Sequence, residues 1–219
     1  MSISTIAPYR LPVVGSWPAA RASWSLQPPR AALLIHDMQE YFLAPYDATR
    51  PPLSAFVPNV HALRHACWNA DVPVFFSAQP AEQDRAERGL LWDLWGAGII
   101  EKPGLSGIGA GLRVAPHEVL LHKRRYSAFF ETELSTRLTA RGRDQLIICG
   151  VYAHIGCLAT AVDGFMRGVQ PFVVADATAD FSPEDHATAL RQVARTCGVV
   201  ATTSHLLEAL KTCSTTKRT

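Results

Sequence analysis

Short unbroken apolar runs recur along this chain, and most are followed by a longer stretch in which apolar positions return every three or four residues. The first pattern suits a strand buried on both faces, the second an amphipathic helix. The clearest change from one to the other lies in LIICGVYAHIGCLATAVD, residues 146–163. Leu146, Ile147, Ile148 and Cys149 read as a strand that Gly150 ends. A tight turn over 151–155 is expected next, then a helix opening at Gly156 with Leu158, Ala161, Val162, Phe165 and Met166 on one face. Open N–H groups at such a helix start favour an anion, and a glycine there lets a ligand approach the backbone. A tight turn alone would also account for Gly150 and Gly156.

The same patterns predict strands over 30–38, 72–80, 118–123, 145–150, 171–177 and 199–203. Helices are predicted over 58–70, 131–141 (closed by Gly142), 182–196 and 204–211. Ser182 and Pro183 supply an N-cap and a first helical residue. Strands alternating with helices imply a three-layer α/β/α sandwich around a six-stranded, mainly parallel sheet. The proline-rich residues 1–30 read as an extended arm, with Trp17 and Trp24 as anchors. Residues 31–211 then form one domain, and 212–219 a polar tail. The stretch 80–118 is the least regular, with Trp92, Trp95 and several glycines from Gly96 to Gly111. It reads as a long connection over one end of the sheet, with a short helix near 85–94. Connections of this length usually serve function or move.

Composition narrows the class of function. Of the 219 residues, 48% are hydrophobic and 18% charged, as in an ordinary globular domain. A formal net charge of +2, with Lys123-Arg124-Arg125 and Lys217-Arg218 the only short basic runs, argues against nucleic acid. Five cysteines without C-x-x-C spacing, Cys149 and Cys157 among them in apolar stretches, read as reduced, buried thiols. With no apolar run at the N-terminus, they point to a cytoplasmic protein. The longest apolar stretch, 146–162, is interrupted by His154 and two glycines, so no membrane span is expected.

In parallel α/β sheets, ligands sit beyond the carboxyl ends of the strands. Polar residues collect there: Asp37 after the first strand, Gln79 after the second, Lys123 after the third, and Tyr152, His154 and Gly156 after the fourth. Singly, each has an ordinary explanation as turn former or solvated side chain. Together they outline an acid–base site built on an Asp–Lys pair. His36 and His154 have no acidic or histidine partner at metal-site spacing, so neither metal nor cofactor is expected.

The segments LLIHDMQEYF (33–42), SAQP (77–80), LLHKRRYSAFF (120–130) and GVYAHIGCLATAVDGFMRGVQPFVVADATADFS (150–182) resemble the isochorismatase family. They are closest to its isochorismatase and phenazine-pathway branches, not to the nicotinamidases. The resemblance runs over nearly the whole chain, the arm with Trp24 included. It implies the isochorismatase-like (Rossmann-like) fold and an Asp–Lys–Cys triad. Asp37 and Lys123 match its first two members, and Gly156 stands at the third; Cys157 is one residue off. Loss of the thiol excludes hydrolysis through an acyl-thioester, and the glycine is expected to make room for a bulkier anionic ligand. A non-proline cis peptide is implied at Val151–Tyr152. By the same matching, Gln79, Arg88, Tyr152 and the Gly156 N–H contact substrate. Arginine suits a carboxylate because it binds both oxygens. Phe42, Trp95 and Tyr126 supply apolar walls.

The activity implied is that of an ether hydrolase. Isochorismate would be cleaved by water to 2,3-dihydro-2,3-dihydroxybenzoate and pyruvate, with Asp37 as general acid and Lys123 holding the substrate or orienting Asp37. The alternative substrate is 2-amino-2-deoxyisochorismate, giving trans-2,3-dihydro-3-hydroxyanthranilate in phenazine or related antibiotic biosynthesis. His154-Ile155-Gly156-Cys157 leans to the first, Phe129-Phe130 to the second. A non-catalytic binding protein and a Cys157 amidase are more remote readings. One tension stands: a nearby Lys123 should depress the pKa of an acid that must be protonated. The implied partners are a small anionic chorismate-derived substrate and a second copy in a homodimer. Arg124 replaces a tryptophan usual in relatives. The chain also leaves no room for the carrier domain some relatives append, so a stand-alone domain is expected.

Overall fold

The computed structural model describes residues 3–100 and 104–214, the side chains of 212–214 excepted, so most of the expected tail lies outside the described residues. After a 3-10 turn at Pro28–Arg30 come β1 (Ala31–His36), α1 (Glu40–Leu43), α2 (Leu53–Asn69) and β2 (Val74–Ala78). Two short helices, α3 (Arg85–Arg88) and α4 (Leu91–Trp95), precede β3 (Val119–His122) and α5 (Leu134–Ala140). β4 (Gln145–Val151) leads through a π-helical turn (Ala153–Cys157) into α6 (Leu158–Met166). β5 (Gln170–Ala179), α7 (Pro183–Thr196), β6 (Val199–Ala201) and α8 (Thr203–Ser214) follow. Among the described residues the strands are all parallel, in the order β3-β2-β1-β4-β5-β6. This is the expected three-layer architecture.

Side chains alternate across a strand, so the doubly apolar runs feed two cores. Leu33, Ile35, Phe76 and Ile147 meet Phe56 and Leu63 of α2 and Leu206 and Leu210 of α8. Ala32, Leu34, Phe75 and Ile148 meet Leu138 of α5, Ala161 of α6 and Leu190 of α7. Trp24 packs against the first core and Trp17 against the second. Farther up the arm, the Tyr9 hydroxyl accepts the Asp180 N–H at 2.7 Å.

Several boundaries differ from the sequence patterns for identifiable reasons. α2 starts at Leu53, because Leu53 and Phe56 extend its buried face ahead of Pro58. α5 starts at Leu134: Glu131 has φ +53, and the Thr132 hydroxyl accepts the Leu134 N–H. The tight turn expected over 151–155 is absent, since β4 continues through Val151 and the helical turn opens at Ala153. β5 runs on to Ala179, and its register against β4 jumps: Ile148 faces Val173, but Gly150 faces Thr178. That slack carries Asp180 and Phe181 up to the rim of the sheet. The irregular stretch folds back over α1. There Gln39 Nε2 donates to the Gln79 and Ser106 carbonyls, and the Glu40 N–H to Gly107.

Candidate active site

β1 lies where the strand order reverses, with β2 on one side and β4 on the other, and a crevice opens at such a point beyond the carboxyl ends. Asp37 leaves β1 with φ +48, a conformation unfavourable for a residue with a Cβ. Its N–H is held by the Ser77 carbonyl at 3.2 Å. The carboxylate is buried, accepting from Ser77 Oγ at 2.7 Å on Oδ1 and from Lys123 Nζ at 2.7 Å on Oδ2. Lys123 is 1% exposed and also donates to the Arg125 carbonyl. Burial pushes the Asp37 carboxyl up, but Lys123, His36 and Ser77 together outweigh it and hold the pKa below the usual carboxylate value. Beside the pair, His36 Nδ1 lies 3.0 Å from the Val151 carbonyl and 3.6 Å from Asp37 Oδ2. Burial lowers the His36 pKa to about 4, so the ring is neutral at pH 7.

Asp37 and Lys123 form the floor of a pocket with about 590 Å³ of space, part of it open to solvent. The other sequence-derived site residues, Phe42, Gln79, Arg88, Trp95, Tyr126, Tyr152 and Gly156, all line it. Arg88 is 3% exposed; its Nε donates to the Gly96 carbonyl at 2.7 Å, and Nη1 lies 3.5 Å from Gln79 Oε1. It is therefore a built-in cation and not a solvated loop arginine. Gly98, at φ +74, makes this possible, because a Cβ there would fall 2.2 Å from Nη1.

Some expectations need correction. Tyr126 is more than an apolar wall: its hydroxyl accepts from Trp95 Nε1 at 2.7 Å, tying α4 to the Lys123 loop. The Tyr152 hydroxyl donates to the Phe42 carbonyl at 2.7 Å, so its proton is already engaged. Three of the N–H groups at the start of the helical turn are already engaged. His154 donates to Asp180 Oδ2, and Ile155 and Cys157 donate to the Tyr152 carbonyl. The space over Gly156 is not vacant either, because a Cβ there would meet the His36 ring. His154 does have acidic company: its Nδ1 pairs with Asp180 Oδ1 at 2.6 Å, and ligand-type atoms of His154, Asp180 and Asp185 lie within 4.8 Å of one another. The Asp180 oxygens already hold the His154 ring, the His154 N–H and the Phe181 N–H. Chain spacing concealed this pair because β5 delivers Asp180 from a distance. The cis peptide at Val151–Tyr152 is present. Arg124 pairs on the surface with Glu87 of α3 at 3.2 Å.

Sequence reasoning missed Ser77, which holds Asp37, and Phe181, whose ring lies 4.3 Å from that of Tyr152. Cys157 is buried in the second core, its thiol pushed well above the ordinary value by burial. No serine, threonine or cysteine lines the pocket among the described residues. What the site offers is a buried carboxylate paired with an ammonium, a second cation in Arg88, and aromatic walls.

An isochorismatase domain matches residues 31–205. The phenazine biosynthesis protein PhzD of Pseudomonas fluorescens is 47% identical over 208 residues, covering 94% of this chain and 98% of that one. The isochorismatase of Bacillus subtilis (strain 168) is 42% identical over 211 residues, covering 96% and 68%. A solved cysteine hydrolase from Pseudomonas syringae pv. phaseolicola 1448A has a TM-score of 0.78 at 27% identity, covering 90% of this chain and 98% of its own.

Proposed function

The chain belongs to the isochorismatase family, and from that premise we propose that it is an ether hydrolase cleaving isochorismate to 2,3-dihydro-2,3-dihydroxybenzoate and pyruvate. One observation carries the reading beyond the family: a buried Asp37–Lys123 pair floors a pocket whose lining includes Arg88 but no serine, threonine or cysteine among the described residues. Such a site suits acid catalysis on an anion and not covalent catalysis. The Asp37 carboxyl delivers its proton to the terminal vinyl carbon, leaving an oxocarbenium ion. Water adds to that cation, and the hemiketal collapses to pyruvate and the dihydrodiol. Arg88 and Lys123 hold the substrate carboxylates, with Gln79 and the Gly156 N–H as polar contacts. Phe42, Trp95, Tyr126 and Tyr152 enclose the ring.

The low Asp37 pKa fits this scheme because bound substrate raises it. A dicarboxylate placed against Lys123 and Arg88 offsets the positive field that kept Asp37 ionised, and raises its pKa. Close identity to PhzD along nearly the whole of both chains favours a second substrate, 2-amino-2-deoxyisochorismate. A homodimer in the cytoplasm completes the reading; sedimentation of the purified chain as a monomer would refute the dimer.

The test is pyruvate release from isochorismate and from its 2-amino analogue, coupled to lactate dehydrogenase, with wild type and Asp37→Ala. Turnover of one substrate in preference, reduced by about 10²–10⁴-fold in the variant, is expected. No pyruvate from either would sink the proposal.

A further inference from the structure

β1 delivers two residues to the site, and only Asp37 has a role so far. His36 sits between two glycines. Across the β1–β4 ladder its backbone lies against Gly150, where a Cβ would fall 2.1 Å from the His36 carbonyl oxygen. Its ring lies against Gly156, where a Cβ would fall 2.2 Å from Cε1, 2.9 Å from Nε2 and 3.0 Å from Nδ1. The ring is fully buried, and a hydrogen bond from Nδ1–H to the Val151 carbonyl pins it. It cannot swing clear as a surface side chain would.

We propose that His36 and Gly156 are an interlocked, specificity-determining pair. The imidazole fills the volume into which any side chain at 156 would grow, and so keeps a nucleophile away from the Asp37–Lys123 pair. This deepens the ether-hydrolase reading, since it gives that reading's reaction class a structural cause; the interlock itself rests on geometry. Gly156 lines the same pocket as Asp37 and Lys123. A thiol at 156 would therefore enter a site with a lysine ammonium at hand, conditions that favour a reactive thiolate. The histidine denies it the space. Regaining covalent chemistry would take two changes together, one on β1 and one on the turn after β4.

The experiment is a double-mutant cycle on ligand-free protein. Gly156→Ala and Gly156→Cys are each made with His36 present and in the His36→Ala background, with His36→Val as a second truncated background should alanine fail to fold. With His36 present, Gly156→Ala should lower Tm by about 5 °C or more, as overpacking in a sealed site does. In a truncated background the same change should cost less than about 2 °C. Iodoacetamide labelling at residue 156, read by peptide mass spectrometry, should be about tenfold faster or more for Gly156→Cys once His36 is truncated. A wild-type Tm for Gly156→Ala alone, or an equal loss in both backgrounds, would overturn the interlock. Equal labelling rates would overturn the exclusion of a nucleophile. Neither readout uses isochorismate, so failure of the ether-hydrolase reading and failure of this inference are separately visible.

Discussion

Replacing Lys123 by methionine keeps the reach of the side chain and deletes the charge 2.7 Å from Asp37 Oδ2. Both partners are largely shielded from water, at 1% and 7% side-chain exposure, so solvent replaces the lost ammonium poorly. Breaking a buried pair costs about 3–5 kcal/mol when the survivor stays charged. The carboxyl has an escape, which is to take up a proton. Holding an acid of unfolded pKa about 3.9 neutral costs about 4 kcal/mol at pH 7 but only about 1.5 kcal/mol at pH 5. The cheaper route sets the penalty, so Lys123→Met should destabilise by about 3–4 kcal/mol at pH 7 and about 1.5 kcal/mol at pH 5. In the native protein the folded pKa of Asp37 lies below the unfolded one. Its contribution is therefore fully present above the unfolded value and is lost only as pH falls through the lower, folded value. Between pH 5 and 7 this group leaves the wild type flat. In the variant the folded value lies above the unfolded one, and the penalty grows as pH rises. Urea unfolding followed by tryptophan fluorescence at pH 5, 6 and 7 reads the difference directly. A gap between the two proteins that stays constant over this range refutes the reasoning. It would mean that the carboxylate keeps its charge without Lys123, or never carried one beside it.

Gly98→Ala should push the Arg88 guanidinium off the Gly96 carbonyl, because the new methyl would fall 2.2 Å from Nη1. The KM for isochorismate should rise about tenfold with a smaller change in kcat, as when binding common to ground and transition states is lost; an unchanged KM would place the substrate carboxylate elsewhere. His154→Gln tests the Asp180 pair. The hydrogen bond to Asp180 raises the His154 pKa, so the protonated ring stabilises the fold below its unfolded value of about 6.5 and that contribution fades as pH rises through the higher folded value. Wild-type stability should fall more steeply than the variant's between pH 6 and pH 8, and parallel curves would show that the pair contributes nothing to this dependence.

The central strands β1, β2 and β4 were legible because they are buried on both faces and read as continuous apolar runs, and the strand-end rule then pointed to Asp37, Gln79 and Lys123. Arg88, Phe42, Trp95 and Tyr126 came from family resemblance, since nothing in the irregular stretch or the strand ends marks them by pattern. What sequence could not show depends on register and slack. Ser77 lies inside an apolar strand and looks like filler until β1–β2 pairing places it opposite His36, next to Asp37. Asp180 and Phe181 reach the site only because β5 slips past β4 between Ile148 and Gly150. The packing around Gly156 was hidden because its neighbour is a ring from another strand, a contact no local spacing encodes.

The parallel ladder between β1 and β4 sets Ala31 against Gln145 and His36 against Gly150. A nascent chain therefore exposes Asp37 long before Lys123, Tyr152 and Phe181 leave the ribosome, and no piece ending before Lys123 holds the buried pair. Closing loops of that length is slow, because the chain entropy is lost before the contacts form. Turnover is thus a late signal, one that waits for β1 to be paired on both sides. In a refolding or synthesis experiment, the first appearance of product would time the insertion of β1 between its two neighbours.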